Sequence, residues 1–263
     1  LAISISQGNG YINSDGSPHS IYPPFYPFFL SVIYTFFGHN YFAVRIVQSI
    51  IGAFICVLIY LIGRKAIGAA SGGIAAFISI FYPPFIKSAG RLLTELLFTF
   101  ILCLIVFYLL KIQEKMKFKN CIILGLLLGI AMLTKSIMLF FPIFIIPVFI
   151  YLKDKYRISG ILKRYVLILL ALAFSLVPWI IRNYNVYHKF VPTSAEGRAG
   201  FYSSNCPKDG IFGFNAAPDD PIVIEGSRIS SAVLRSQFFI KKTVDFIVTN
   251  PGKVLVLEVK KLL

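Results

Sequence analysis

Carboxylates are what this sequence has least of. Only 11 Asp and Glu occur in 263 residues, against 26 Lys and Arg, and charged residues make up 14% of the chain, where about a quarter is usual in soluble proteins. With 57% hydrophobic residues and a mean hydropathy of +0.78, that deficit excludes a water-soluble surface, and the chain reads as an integral membrane protein. Cysteine is scarce too. Cys56, Cys103, Cys121 and Cys206 show no CxxC spacing, and the first three lie in or beside apolar runs, where a thiol is a small hydrophobe. Neither a disulfide framework nor a cysteine metal site is supported. A Gly-rich phosphate loop, HExxH and GxSxG are all absent, which leaves nucleotide hydrolysis, zinc proteolysis and serine hydrolysis without a motif. The net charge of +15 invites a nucleic-acid reading. Its bases, however, lie between long apolar runs rather than along one polar face, which is how membrane topology is written, so no nucleic-acid partner is expected.

What is present is a series of apolar runs able to cross, or nearly cross, a bilayer: residues 41–63, 69–86, 92–110, 121–134, 136–152 and 165–181. They predict an all-α, multi-spanning helical bundle with six transmembrane helices. Residues 121–152 are too long for one span, and Thr134-Lys135-Ser136 reads as a tight turn dividing two, with Pro142 and Pro147 kinking the second. Orientation follows from the bases. Arg64 and Lys65, the four lysines of 111–119 and the five bases of 153–164 fall on one side, whereas the short connections of the other side hold only Lys87, Arg91 and Lys135. The positive-inside rule makes the first group cytoplasmic. Residues 1–40 are then a first extracytoplasmic loop, and 182–252 an extracytoplasmic loop region.

Inside the first loop, residues 25–38 are apolar but only fourteen long and follow Pro23-Pro24, so an interfacial helix is expected there. After Arg182 the composition turns to Gly, Asn, Asp, Ser and Pro. Turn signals stand at Cys206-Pro207-Lys208-Asp209-Gly210 and Ala217-Pro218-Asp219-Asp220-Pro221, and helical spacing over 227–249 is stopped by Pro251. The chain opens on Leu1 and closes in an apolar-rich run, 253–263, that reads as the start of a further transmembrane helix. It is expected to be an internal fragment of a larger membrane protein, inactive by itself.

Between residues 25 and 182 only three acids occur, and Glu114 and Asp154 lie in basic loops. Glu95 stands instead at the outer end of an apolar helix, where an unpaired carboxylate costs on the order of 1–3 kcal/mol according to depth. It is either an i,i+4 partner of Arg91 steadying the helix end or a carboxylate facing an outward active site. Lys135 is an interfacial anchor or a phosphate contact, and Arg182 with Asn183 are anchors beside Trp179 or line a cavity mouth. His19, before Tyr22-Pro23-Pro24, reads as a solvated loop histidine or, less readily, a ligand.

These residues fall in an order that resembles a known family. The run Tyr22-Pro23-Pro24-Phe25-Tyr26-Pro27-Phe28-Phe29-Leu30 is followed by Ala43-Val44-Arg45, Arg64-Lys65 and Tyr82-Pro83-Pro84 before Leu93-Thr94-Glu95. Gly125 to Gly129 then lead into Leu133-Thr134-Lys135, and Pro178-Trp179-Ile180-Ile181-Arg182-Asn183-Tyr184 closes the pattern. In this the chain resembles the membrane glycosyltransferases that use lipid-phosphate sugars, the bacterial relatives of dolichyl-phosphate-mannose protein mannosyltransferases and of the lipid A aminoarabinose transferase. The resemblance implies a helical bundle with an outward catalytic cavity in the cell envelope. It also implies transfer of a sugar from a polyprenyl-phosphate donor to a hydroxyl of a lipid, glycan or protein, on the extracytoplasmic side of the cell membrane. In such enzymes an acid serves as base and basic groups, sometimes with a divalent metal, stabilise the departing phosphate. One family acid falls upstream of the region matching 1–11; the second falls on Glu95, which carries over as the catalytic carboxylate. Substrate-binding positions carry over to Tyr22, Pro23 and Pro24, with Arg91, Lys135 and Arg182 as phosphate partners. Relatives often have Lys or Arg where this chain has Tyr22, and the metal-binding Glu and His of some have no clear match. The competing class is a transporter or flippase of lipid-linked sugars, which would want the same outward cavity but also two matching halves, and none is found.

Overall fold

The computed structural model describes residues 1–13, 15–19, 21–152, 156–194, 198–206, 220–229 and 231–260. The regular secondary structure within these is helical throughout, with one isolated bridge between Ile12 and Pro18. By internal contacts the chain falls into two compact units, Leu1–Pro18 with Pro23–Arg182 and His19–Tyr22 with Asn183–Leu263.

In the first unit a short α1 (Ala2–Ser6) precedes α2 (Phe25–Phe37), which starts where the two prolines fix the chain. Helix α3 (Tyr41–Ala66) is capped by the Asn40 side chain, which accepts from the backbone N–H of Phe42 and Ala43. It ends on Arg64 and Lys65, whose charges suit a helix C-terminus. Helices α4 (Ala69–Ile80) and α5 (Pro83–Ala89) meet at a 52° bend. The cause is local: Tyr82, ahead of a proline, is extended, and Pro83 opens a new helix instead of continuing the old one. Helices α6 (Thr94–Glu114) and α7 (Phe118–Thr134) form a hairpin, and Lys135, extended at φ −142°, ends α7. The 136–152 run breaks into a 3-10 turn (Ser136–Phe140), α8 (Phe141–Phe144) and α9 (Ile146–Tyr151), each α-helix opening at a proline. Helix α10 (Ile158–Tyr187) carries Pro178 within it.

Three of these, α3, α6 and α10, are long and apolar enough to cross a membrane alone, and the bent α4–α5 pair makes a fourth; α7 and Ser136–Tyr151 are shorter apolar helices. Large apolar side chains cover the outside, with Phe36 78% and Phe174 75% exposed, as befits a protein whose solvent is hydrocarbon. Because lipid is as apolar as leucine, such helices hold together by close packing rather than by a hydrophobic drive. Gly125 and Gly129 supply it: a Cβ on the first would overlap the Ile168 carbonyl, and on the second the Ser175 side chain, so the α7 backbone lies directly against α10 at both. Ile105, Ile112, Leu124, Leu128 and Ile168 fill the buried centre.

The second unit contains α11 (Arg198–Asn205), α12 (Pro221–Ser227), α13 (Ala232–Thr249) and α14 (Pro251–Lys260). Asp220 caps α12 through the Ile222 N–H and accepts a bond from the Tyr202 hydroxyl at 3.1 Å. Tyr202 and Cys206 pack on Phe239, whose ring fills the space left by Gly226. Burial, reinforced by the Asp220 charge, pushes the Cys206 thiol up to about 11, so this cysteine too is inert packing.

Two expectations are corrected here. The polar residues after Ile181 do not leave the helix, since α10 runs on to Tyr187; extending a formed helix costs little per residue even where composition suggests a loop. The helix expected over 227–249 starts later, at Ala232, because Ser231 caps it with its hydroxyl on the Leu234 N–H, leaving Ile229 outside it. The turns expected at 207–210 and 217–219, and the last three residues of 253–263, lie outside the described residues.

Candidate functional site

Glu95 stands in the first turn of α6, where the helix dipole favours a negative charge. Lys135 stands at the end of α7. A hairpin puts those two termini at the same end, and the Lys135 Nζ donates to Glu95 Oε1 at 2.9 Å. The Thr94 hydroxyl reaches the other carboxylate oxygen at 3.4 Å, and the ammonium also lies 5.6 Å from the centre of the Phe98 ring, one turn along α6. The pair is half open, with the carboxylate side chain 50% and the lysine 34% exposed. At the opposite end of the hairpin Lys65 pairs with Glu114 at 2.5 Å. Two ion pairs therefore mark the two ends of α6, and the end carrying Glu95 also carries Lys87, Arg91 and Lys135.

Arg91 is not the helical partner of Glu95 that the spacing suggested. Helix α6 begins only at Thr94, so Arg91 lies in the preceding turn and off the i,i+4 face. That turn is held from below. The Gln48 amide, 1% exposed on α3, donates from Nε2 to the carbonyls of Ser88 (3.2 Å) and Arg91 (3.1 Å). The Arg91 side chain itself is exposed, and its guanidinium has no hydrogen-bond or ion-pair partner among the described residues. Sequence reading passed over Gln48; the signal was there in an amide inside the apolar run 41–63.

Arg182 belongs to a second cluster. Its guanidinium donates to the Tyr11 carbonyl at 2.8 Å and lies 5.0 Å from the Trp179 ring and 5.5 Å from that of Tyr11. Tyr11 meets Trp179 edge-on and directs its hydroxyl to the Pro23 carbonyl at 3.4 Å. Pro23 and Pro24 are buried behind it. The structure thus brings Arg182 to the double proline through Tyr11, a residue the sequence did not single out. In the second unit Tyr22 stacks on His19, whose Nε2 accepts from the Tyr22 N–H at 3.1 Å. His19 is therefore a buried histidine and not a solvated one. Asn183, also buried, donates to the Val191 carbonyl at 2.8 Å.

Among the described residues no three His, Cys, Asp or Glu side chains come together. The described residues therefore offer no ligand set for a divalent metal.

Bent and proline-broken apolar helices, an ion pair at one end of a helical hairpin and unneutralised bases beside it define a multi-pass membrane protein with a polar site at the membrane boundary. The model of the dolichyl-phosphate-mannose-protein mannosyltransferase family matches residues 22–181, more than half of the chain, which belongs to that family. It is a membrane glycosyltransferase of the kind that uses polyprenyl-phosphate sugar donors. The match runs from the double proline through both members of the Glu95–Lys135 pair and ends one residue short of Arg182. No curated protein and no solved structure matches the chain.

Proposed function

We propose that the Glu95–Lys135 end of the bundle transfers a hexosyl or pentosyl unit from a polyprenyl-phosphate donor to a hydroxyl of a lipid, glycan or protein, on the extracytoplasmic side of the cell membrane. The observation that carries this reading is the 2.9 Å pair itself. A carboxylate at one end of an apolar helix, half open and paired with a lysine 40 positions away, couples a base to a group that binds phosphate. Glu95 takes the proton of the acceptor hydroxyl as that oxygen bonds to the anomeric carbon, and the bond from that carbon to the phosphate oxygen breaks. The polyprenyl phosphate leaves as an anion, met by Lys135 and by Arg91 from the adjoining turn. Arg182, Pro23 and Pro24 shape the approach of the donor rather than its chemistry. Sidedness rests on the base count, eleven against three, under the positive-inside rule.

The test compares Glu95→Gln with Glu114→Gln in full-length protein in membranes, supplied with a polyprenyl-phosphate sugar. Glu95→Gln keeps shape and loses the base, so turnover should fall by roughly 10²–10⁴ with folded protein retained. Glu114→Gln breaks the Lys65 pair at the other end of α6 and should leave turnover near normal. Similar turnover in both would refute the assignment.

A further inference from the structure

The turn that carries Arg91 is built on one buried amide. Helix α5 ends at Ala89, and the last carbonyls of a helix have no partner inside it. A basic side chain just past such an end commonly folds back onto them, because its donors and its charge both suit the site. Arg91 stands two residues past that end, yet its guanidinium makes no such bond among the described residues. Gln48 Nε2, on α3, takes the carbonyls of Ser88 and of Arg91 itself at 3.2 and 3.1 Å, and the Arg91 carbonyl also accepts from the Leu93 N–H at 2.9 Å. Gln48 is 1% exposed, and its Oε1 is buried with no hydrogen-bond partner. An amide that leaves its own oxygen orphaned is a poor way to fill an apolar interior, which an apolar side chain of the same length would fill without that cost. What the amide supplies is the pair of bonds to the turn.

We propose that Gln48 is a positioning residue for phosphate binding: by holding the Ser88 and Arg91 carbonyls it fixes the turn between α5 and α6 and keeps the Arg91 guanidinium off the helix end, open to the donor phosphate. Glu95 needs no such support, since it lies inside α6 and is tied to Lys135. Gln48 therefore acts through Arg91 and not through the base. The inference rests on the proposed meeting of Arg91 with phosphate, but its test does not require sugar transfer.

That test measures binding of radiolabelled polyprenyl phosphate, without a sugar, to the full-length protein in detergent. Arg91→Gln should weaken binding about tenfold, the scale of one charge-assisted hydrogen bond. Gln48→Met, similar in shape but without a donor, should weaken it about threefold to tenfold, with the unfolding midpoint within about 4 °C of wild type. The two changes together should bind no more weakly than Arg91→Gln alone, because the glutamine then has nothing left to position. Losses that multiply would overturn the inference while leaving Arg91 on the phosphate. Arg91→Gln binding like wild type would instead remove Arg91 from the phosphate, and the inference with it. Trypsin gives a second measure: cleavage after Arg91 should quicken several-fold in Gln48→Met as the turn opens, and unchanged cleavage would show that the amide does not hold it. Should Gln48→Met not fold, Gln48→Asn, which draws the amide back by one carbon, takes its place in the same cycle. If neither folds, Gln48 serves the fold and the inference is overturned.

Discussion

Replacing Lys135 by Gln separates what this residue does for the fold from what it does for the reaction. Its bond to Glu95 is short, but with side chains 34% and 50% exposed the pair resembles exposed ion pairs, worth about 0.2–1 kcal/mol. The glutamine amide can still donate to the carboxylate, and the Thr94 hydroxyl remains at 3.4 Å. For a chain of this size 1 kcal/mol moves an unfolding midpoint by roughly 2–4 °C, so the variant should unfold no more than that below wild type. The reaction asks more of the charge. A preorganised donor aimed at an oxygen that gains negative charge contributes on the order of 10²–10³ in rate, about 2.7–4 kcal/mol, because that interaction strengthens as the bond to phosphate breaks. Turnover in vesicles with a polyprenyl-phosphate sugar should therefore fall a hundredfold or more while the protein stays folded, and Lys135→Arg should recover part of it by keeping the cation. If Lys135→Gln turns over within about threefold of wild type, or loses activity only in step with folded protein, the lysine is an interfacial anchor and the phosphate role is wrong.

Helix packing and sidedness give two further tests. Gly129→Leu should force α7 from α10, because its added carbons meet Ser175 and the Leu172 carbonyl; membrane abundance and protease resistance should drop sharply, while Gly73→Leu, with open space around it, should leave both unchanged. In a background lacking the four native cysteines, Lys87→Cys should react with an impermeant thiol reagent from outside and Lys117→Cys should not; labelling of Lys117→Cys alone would invert the orientation and the proposed side of the chemistry.

The fold was legible where the bilayer itself dictates sequence. Runs such as 41–63 and 92–110 could be nothing but membrane helices, since every unpaired backbone group in hydrocarbon costs several kcal/mol. Two breaks were legible too: Pro142 and Pro147 lack an N–H, and the structure opens a helix beside each, whereas the bend at Pro83 falls inside 69–86, which reads as one span. Beyond Ile181 that constraint lapses, and the reading lost its grip. Residues 182–187 are polar yet helical because they extend a helix already formed. Helix α11, eight residues with an Arg at its start, is too short and too polar to announce itself.

The site divides along the same line. Glu95 stood out because an acid in an apolar helix must be accounted for, and the structure supplies its account as a lysine. Which lysine or arginine could not be read locally. Spacing favoured Arg91, four residues away, and spacing misled because helix i,i+4 pairing holds only inside a helix and α6 starts between the two residues. Lys135 becomes the partner only because α6 and α7 fold back as a hairpin, a fact of tertiary packing that the alternation of sides already contained: consecutive spans must return each connection to the side of the one before last. The charge count had placed Lys87, Arg91 and Lys135 on one side, and a carboxylate on that side could pair with any of them. Distance along the chain was the wrong criterion and sidedness the right one. The same logic reaches Gln48, a polar residue in apolar surroundings whose partners, the carbonyls of Ser88 and Arg91, lie at and just past the end of another helix.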